Sequence, residues 1–183
     1  METQVKAFYQ TNKGFELFTI FGYVTKGVPS LEINGAGKLS KNIKEKLIFL
    51  TRNRKLAIPH RRFVICVDQN DQLQNDEQLL KWLEFPLLLT YWYLAGLIPI
   101  KKLENCVTSG WIRANGEIFH HSLSDYSRGQ ILKRIPPLER DQTLFIGGAE
   151  SCIHSSMLLE HISGLSFKQS PQVENKIIYS MTS

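Results

Sequence analysis

The sequence predicts a single domain of the α/β (α+β) class, a sheet with helices packed on it, and three observations carry that prediction. Phe15 to Val24 is rich in Phe, Ile, Tyr and Thr, side chains that suit a pleated, half-buried surface. Leu39, Ile43, Leu47 and Leu50 recur at spacings of four, four and three, which draws one apolar stripe down a helix. Pro86 to Ala95 is apolar on nearly every side, and a helix of that kind belongs in the centre of a domain.

The elements follow in order. Val5 to Tyr9 reads as a short strand and Phe15 to Val24 as a longer one. Gly27-Val28-Pro29 interrupts the pattern, Ser30 to Ile33 resumes it with Leu31 and Ile33 on one face, and Gly35 and Gly37 mark a turn. A helix is predicted from about Lys38, and Pro59 closes the connection to a buried strand over Arg62 to Val67. Asp68 to Glu77 is polar and acidic and reads as a surface loop. Pro86 takes the first helical position of the apolar segment and Gly96 stops it, with Glu84 just ahead at the positive end of the helix dipole. Pro99 and Lys101-Lys102 return the chain to the surface. Val107 to Arg113 and Glu117 to Phe119 form strands around Ala114-Asn115-Gly116, an Asn-Gly hairpin turn. A short helix over Ser124 to Arg134, a strand over Thr143 to Ile146, a helix over Glu150 to His161 after Gly147-Gly148, and a strand over Leu165 to Lys168 complete the reading.

A length of 183 residues fits one domain, placed at 1–170, with a peripheral tail over 171–183. A hydrophobic share of 43% with ten Phe, six Tyr and three Trp supplies enough apolar surface to make wholesale disorder untenable. Cys66, Cys106 and Cys152 are far apart and form no CxxC pair, so neither a disulfide framework nor a zinc site is indicated, and Cys66 reads as a buried, inert thiol. No apolar run with a small-residue cleavage site opens the chain, and Phe85 to Ile100 is broken by Pro86, Thr90, Gly96 and Pro99. That stretch is also shorter than the roughly 20 residues of a membrane span. A cytoplasmic protein without membrane contact is expected.

Charge is concentrated. Between Lys38 and Arg62 stand nine Lys or Arg against the single acid Glu45, a local +8 in a chain of net +5. On a helical wheel Lys41, Lys44, Arg52 and Lys55 lie opposite the apolar stripe, with Arg54, Arg61 and Arg62 nearby. A cationic helix face of this kind neutralises phosphates without regard to base sequence, and a simple solvated face is the plainer reading of the same residues.

Several stretches, taken together, resemble the N-terminal domain of the ComM (YifB) family, the Mg chelatase-related proteins. Gly27-Val28-Pro29-Ser30-Leu31-Glu32-Ile33-Asn34-Gly35 is similar to the family's Gly-Leu-Pro-x-x-x-Ile-Val-Gly. Lys41 to Leu50 resembles its basic helix, Ile58-Pro59-His60-Arg61-Arg62-Phe63-Val64-Ile65 its following strand, and Asp71 falls near the Asp of its polar loop. Glu84-Phe85-Pro86-Leu87-Leu88-Leu89 resembles its buried helix and Gly96-Leu97-Ile98-Pro99 the connection after it. No one motif is specific; their order and spacing across roughly residues 15 to 170 carry the resemblance. It implies a Lon-protease-like (ribosomal protein domain 2-like) fold with a mixed sheet, and work alongside nucleic acid or a DNA-processing ATPase.

The departures matter as much. Ser109-Gly110-Trp111-Ile112-Arg113-Ala114-Asn115-Gly116 lacks the family's Glu, and the polar loop is reduced to Val67-Asp68-Gln69-Asn70-Asp71. No Gly-x-x-x-x-Gly-Lys-[Ser/Thr] phosphate-binding loop occurs, so ATP hydrolysis by this chain is not expected. The same fold houses Ser-Lys peptidases, whose Ser position matches Leu87 and whose Lys falls near Asp125; neither residue has the chemistry. Ser122, Ser124, Lys101 and Lys102 are the nearest alternatives and read as solvated loop residues. His120-His121 point to opposite faces of a strand, and His154 with His161 lacks a third ligand. Asp68, Asp71, Asp76, Glu77 and Glu84 do not have calcium-loop spacing. The expectation is therefore a non-catalytic, cofactor-free binding domain for nucleic acid or an ATPase partner. A protein-interaction or self-assembling module and a serine peptidase with a relocated nucleophile are the rivals.

Overall fold

The structure is a computed structural model that describes residues 1–68, 76–121 and 123–146, and the backbone of 152–154. The first hairpin pairs β1 (Glu2–Thr11) with β2 (Gly14–Thr25) antiparallel over ten registered pairs, from Glu2 opposite Tyr23 to Thr11 opposite Gly14. The alternation of apolar side chains sets that register, because a one-residue slip would turn Val5, Ala7 and Ile20 out of the core. β3 (Ser30–Asn34), a 3₁₀ turn at Gly37–Leu39, α1 (Ser40–Asn53) and β4 (Arg62–Val67) then form a βαβ unit with β3 and β4 parallel. After α2 (Glu77–Lys81) and α3 (Glu84–Leu94), β5 (Cys106–Thr108) runs parallel to β1. β6 (Gly110–Ile112) and β7 (Glu117–His120) make a second hairpin. α4 (Asp125–Lys133), α5 (Pro137–Arg140), β8 (Leu144–Ile146) and β9 (Cys152–His154) follow.

Among the described residues one sheet runs β3-β4-β2-β1-β5-β8 and mixes parallel with antiparallel neighbours, while β6-β7-β9 forms a smaller one. The mixed α/β architecture is therefore as the sequence predicts. α1 packs on β3, and α3 lies under β1, β2 and β4. α3 is buried along almost its whole length, with Phe85, Leu87, Leu88, Leu89 and Trp92 fully inside. The opposite sheet face is half covered: Ile131 of α4 and Ile135 just beyond it pack on Phe8, Phe15 and Val107, whereas Phe21 and Tyr23 stay exposed. No helix among the described residues is long and apolar enough to cross a membrane.

The structure corrects several local expectations. α1 proper begins at Ser40, because Gly37–Leu39 winds as a tighter 3₁₀ turn. Glu77 opens a short helix instead of ending a loop, since the Asp76 carboxylate accepts the N–H groups of Gln78 and Leu79 as an N-cap. α3 starts at Glu84, two residues before Pro86. Its last residue is Leu94, with Ala95 as the cap, and the left-handed Gly96 (φ 75°) stops it as predicted. The strand expected over Val107 to Arg113 divides at Ser109, its first half joining the large sheet and its second the small one. Pro137–Arg140 is helical, with Pro at a first-turn position that the sequence reading overlooked. Cys152–His154 is a strand antiparallel to β7, so no helix runs unbroken over Glu150 to His161. Pairing with a distant edge decides that segment, and local periodicity carries no trace of it. Cys66 is half-buried on the sheet's outer side, its register neighbours being Phe21 and Asn34. Leu165 to Lys168, the 171–183 tail, His161, Ser122 and Asp71 lie outside the described residues.

Candidate nucleic-acid interface

The cationic segment folds around α1 much as its wheel predicts. Ile43, Leu47 and Leu50 are buried and Leu39 packs beside them, which fixes the helix's rotation. Lys41 and Arg52 then point outward, and Lys55 follows the helix end in a left-handed conformation (φ 54°) that swings its side chain into solvent. Arg61 is exposed in the turn leading to β4. Among the described residues none of these four has an ion-pair partner.

The other cations are placed differently. Arg62 is locked to Glu32 through two parallel contacts, Nε to Oε1 at 2.7 Å and Nη2 to Oε2 at 2.8 Å. That fork holds the Glu32 carboxyl below its usual range and raises the Arg62 guanidinium. Lys44 sits near Glu45 (3.6 Å) and, with Lys41, lines a shallow groove of about 200 Å³ between α1 and β3. Glu32 also lines that groove, so a phosphate is better met on the helix's outer side than inside it. Arg54 is only half-exposed, its Nε buried near the stripe side of the wheel. Lys46 is turned inward to Glu84. The fold thus sets Glu32 and Glu84 against cations that in the sequence faced only Glu45, and the patch is narrower than the sequence implies.

Two features escaped the sequence reading. Phe49 is 54% exposed on α1, between Lys46 and Arg52 at three-residue spacing. An apolar residue off the Leu39–Leu50 stripe was the available signal. On the outer face of the β6–β7 hairpin the Trp111 and Phe119 rings stack at 4.4 Å with 10° between planes, and the Arg113 guanidinium lies over both. Here the signal was Trp and Arg two apart before an Asn-Gly turn, which puts both on one face.

The sites of other chemistry are accounted for. Leu87 is fully buried inside α3, and Asp125 is an exposed first residue of α4 paired with Arg128 at 3.2 Å. Ser124 caps that helix, its Oγ accepting from Ser127 N–H. Lys101 and Lys102 are exposed. His120 and His121 part as expected: His120 meets the Phe85 ring edge-on, while His121 stacks on Trp82 at 3.7 Å. Glu84 leaves the acidic cluster altogether and is buried. Among the described residues no group of His, Cys, Asp and Glu could hold a metal ion. No family model matches the chain, and no curated protein matches it.

Proposed function

We propose that this chain is a non-catalytic binding domain that engages nucleic acid through its backbone phosphates, by itself or in support of a nucleic-acid-processing ATPase, as the ComM-like order of its motifs implies. The observation that carries the reading is the set Lys41, Arg52, Lys55 and Arg61, which among the described residues stays free of carboxylates while the fold neutralises Lys46 and Arg62 internally. Uncommitted cations on one rigid helix and its flank are what counterion-releasing, sequence-independent contact with phosphates requires. The test is fluorescence anisotropy with labelled DNA and RNA across a salt series. Four phosphate contacts give a slope of log affinity on log salt of about −3 to −4, and each Ala substitution at Lys41, Arg52, Lys55 or Arg61 lowers it by about one. No binding at low salt, or slopes indifferent to the four substitutions, sinks the reading.

A second reading rests on Phe21 and Tyr23, exposed at 41% and 43% on the uncovered sheet face. An apolar patch of that kind suits self-assembly or a protein partner. Light scattering on the pure protein separates the two: a monomer at all concentrations removes self-assembly.

A further inference from the structure

We infer that the nucleic acid engaged by this domain is single-stranded, and that its bases stack on an aromatic platform formed by Phe49 of α1 and the Trp111–Phe119–Arg113 cluster of the β6–β7 hairpin. The inference rests on the phosphate-binding reading above and adds to it the strand state of the ligand.

Continuity of the two elements is the first step. Lys46, Phe49 and Arg52 follow one another at three-residue spacing and so form one ridge along α1. At the start of that ridge Lys46 Nζ donates to the Ile112 carbonyl oxygen at 2.8 Å. Ile112 is the buried residue between Trp111 and Arg113, whose side chains alternate to the hairpin's outer face. The helix ridge therefore leads to the strand that carries the aromatic stack.

Chemistry supplies the second step. Phosphates do not reward an exposed phenyl ring. Bases of a single strand do reward it: their faces are open, they stack on aromatic rings and on guanidinium planes, and the preference tolerates any sequence. In a duplex those faces are already stacked inside the helix. Phe49 stands three residues before the exposed Arg52, and Arg113 lies 4.6 Å from the Phe119 ring centroid and 5.5 Å from that of Trp111. Arg113 also reaches Glu117 at 3.1 Å, which holds the guanidinium over the rings while leaving more than half of its side chain exposed. Each of the two elements thus shows a ring beside a cation, and Lys41 and Arg52 supply the charge that a stranded backbone needs.

The experiment compares an oligothymidylate with a duplex of equal length, by anisotropy at low salt, for the wild type and for Phe49→Ala and Arg113→Gln. Phe49 is exposed, so its removal leaves the fold intact, which a thermal melt checks. Tighter binding of the single strand is expected, with about a tenfold loss on Phe49→Ala while duplex affinity and the salt slope stay unchanged. Intrinsic fluorescence gives an independent readout. In a Trp82→Phe background the single strand quenches the signal of Trp111, and Trp111→Leu abolishes the quenching, because the remaining Trp92 is fully buried and unreachable. Equal affinity for strand and duplex with no effect of Phe49→Ala overturns the platform while leaving phosphate binding in place. Binding to neither form overturns both.

Discussion

Lys46 Nζ lies 2.6 Å from Glu84 Oε1, and between them the two side chains satisfy both backbone groups of Ile112. Glu84 Oε2 accepts the Ile112 N–H at 2.8 Å, and Lys46 Nζ donates to the Ile112 carbonyl at 2.8 Å. β7 pairs with β6 on its other side, so Ile112 presents these groups to the helices. An ion pair from α1 and α3 takes the place of a neighbouring strand, which both closes the sheet edge and fastens the hairpin to the core. Removing one partner of a buried pair leaves the other charge unpaired. Glu84→Ala, which also strands the Ile112 N–H, is expected to cost about 3 kcal/mol in urea denaturation. Lys46→Met costs less than Glu84→Ala, because Lys46 is the more exposed partner. The double variant should lose less than the two single losses added; strict additivity would show that the pair is not coupled.

This pair also shows where the sequence was readable and where it was not. The stripe of Ile43, Leu47 and Leu50 and the all-apolar Pro86 segment were legible because periodicity and composition are local. Glu84 was legible only as a helix-start acid, since its partners are 38 residues back and 28 ahead. The same limit applies to Arg62, whose partner Glu32 arrives by parallel pairing of β3 with β4. Counting charge along the chain therefore overstated the patch. Phe49 and Trp111 were visible residue by residue, but the link between their two elements is the Lys46 contact with Ile112, which only the tertiary structure supplies.

Trp92 and Thr51 make a second buried link between α1 and α3. Trp92 Nε1 donates to Thr51 Oγ1 at 2.9 Å, and Thr51 Oγ1 in turn donates to the Leu47 carbonyl at 2.7 Å. Thr51→Val keeps the shape and removes the acceptor, so the fully buried indole N–H loses its bond. A loss of about 1–3 kcal/mol is expected in urea denaturation. Thr51→Ser should keep most of the stability; equal losses for both would show that packing, not the hydrogen bond, matters at this site.

The cysteines differ in reactivity for a physical reason. Cys106 is buried, and desolvation pushes its thiol up to about 12, so almost no thiolate forms near neutral pH. Cys66 is partly open on the outer sheet face. In a Cys152→Ser background, a chromogenic disulfide reagent should label one thiol of the native protein promptly and the second only on addition of denaturant. Prompt native labelling of both would contradict the packing around Cys106.

His121 gives the domain a defined acid sensitivity. Its ring stacks on Trp82 at 3.7 Å, its centroid is 5.8 Å from that of Phe8, and its Nε2 is buried without a hydrogen-bond partner among the described residues. Burial disfavours the imidazolium and lowers the His121 pKa below its ordinary value. As pH falls through about 6.5 the unfolded chain takes up this proton first, so the uptake favours unfolding. Stability from the neutral ring is present above that pH and is lost toward the lower, folded-state value. His121→Phe keeps an aromatic ring against Trp82 and removes the titration. The urea midpoint of the wild type should therefore fall relative to that of His121→Phe between about pH 7 and about pH 5. Shared carboxylates titrate in both proteins and cancel in the comparison. Parallel midpoints over this range would mean that the folded protein accommodates the charged ring, and the stack with Trp82 would then have to open at low pH.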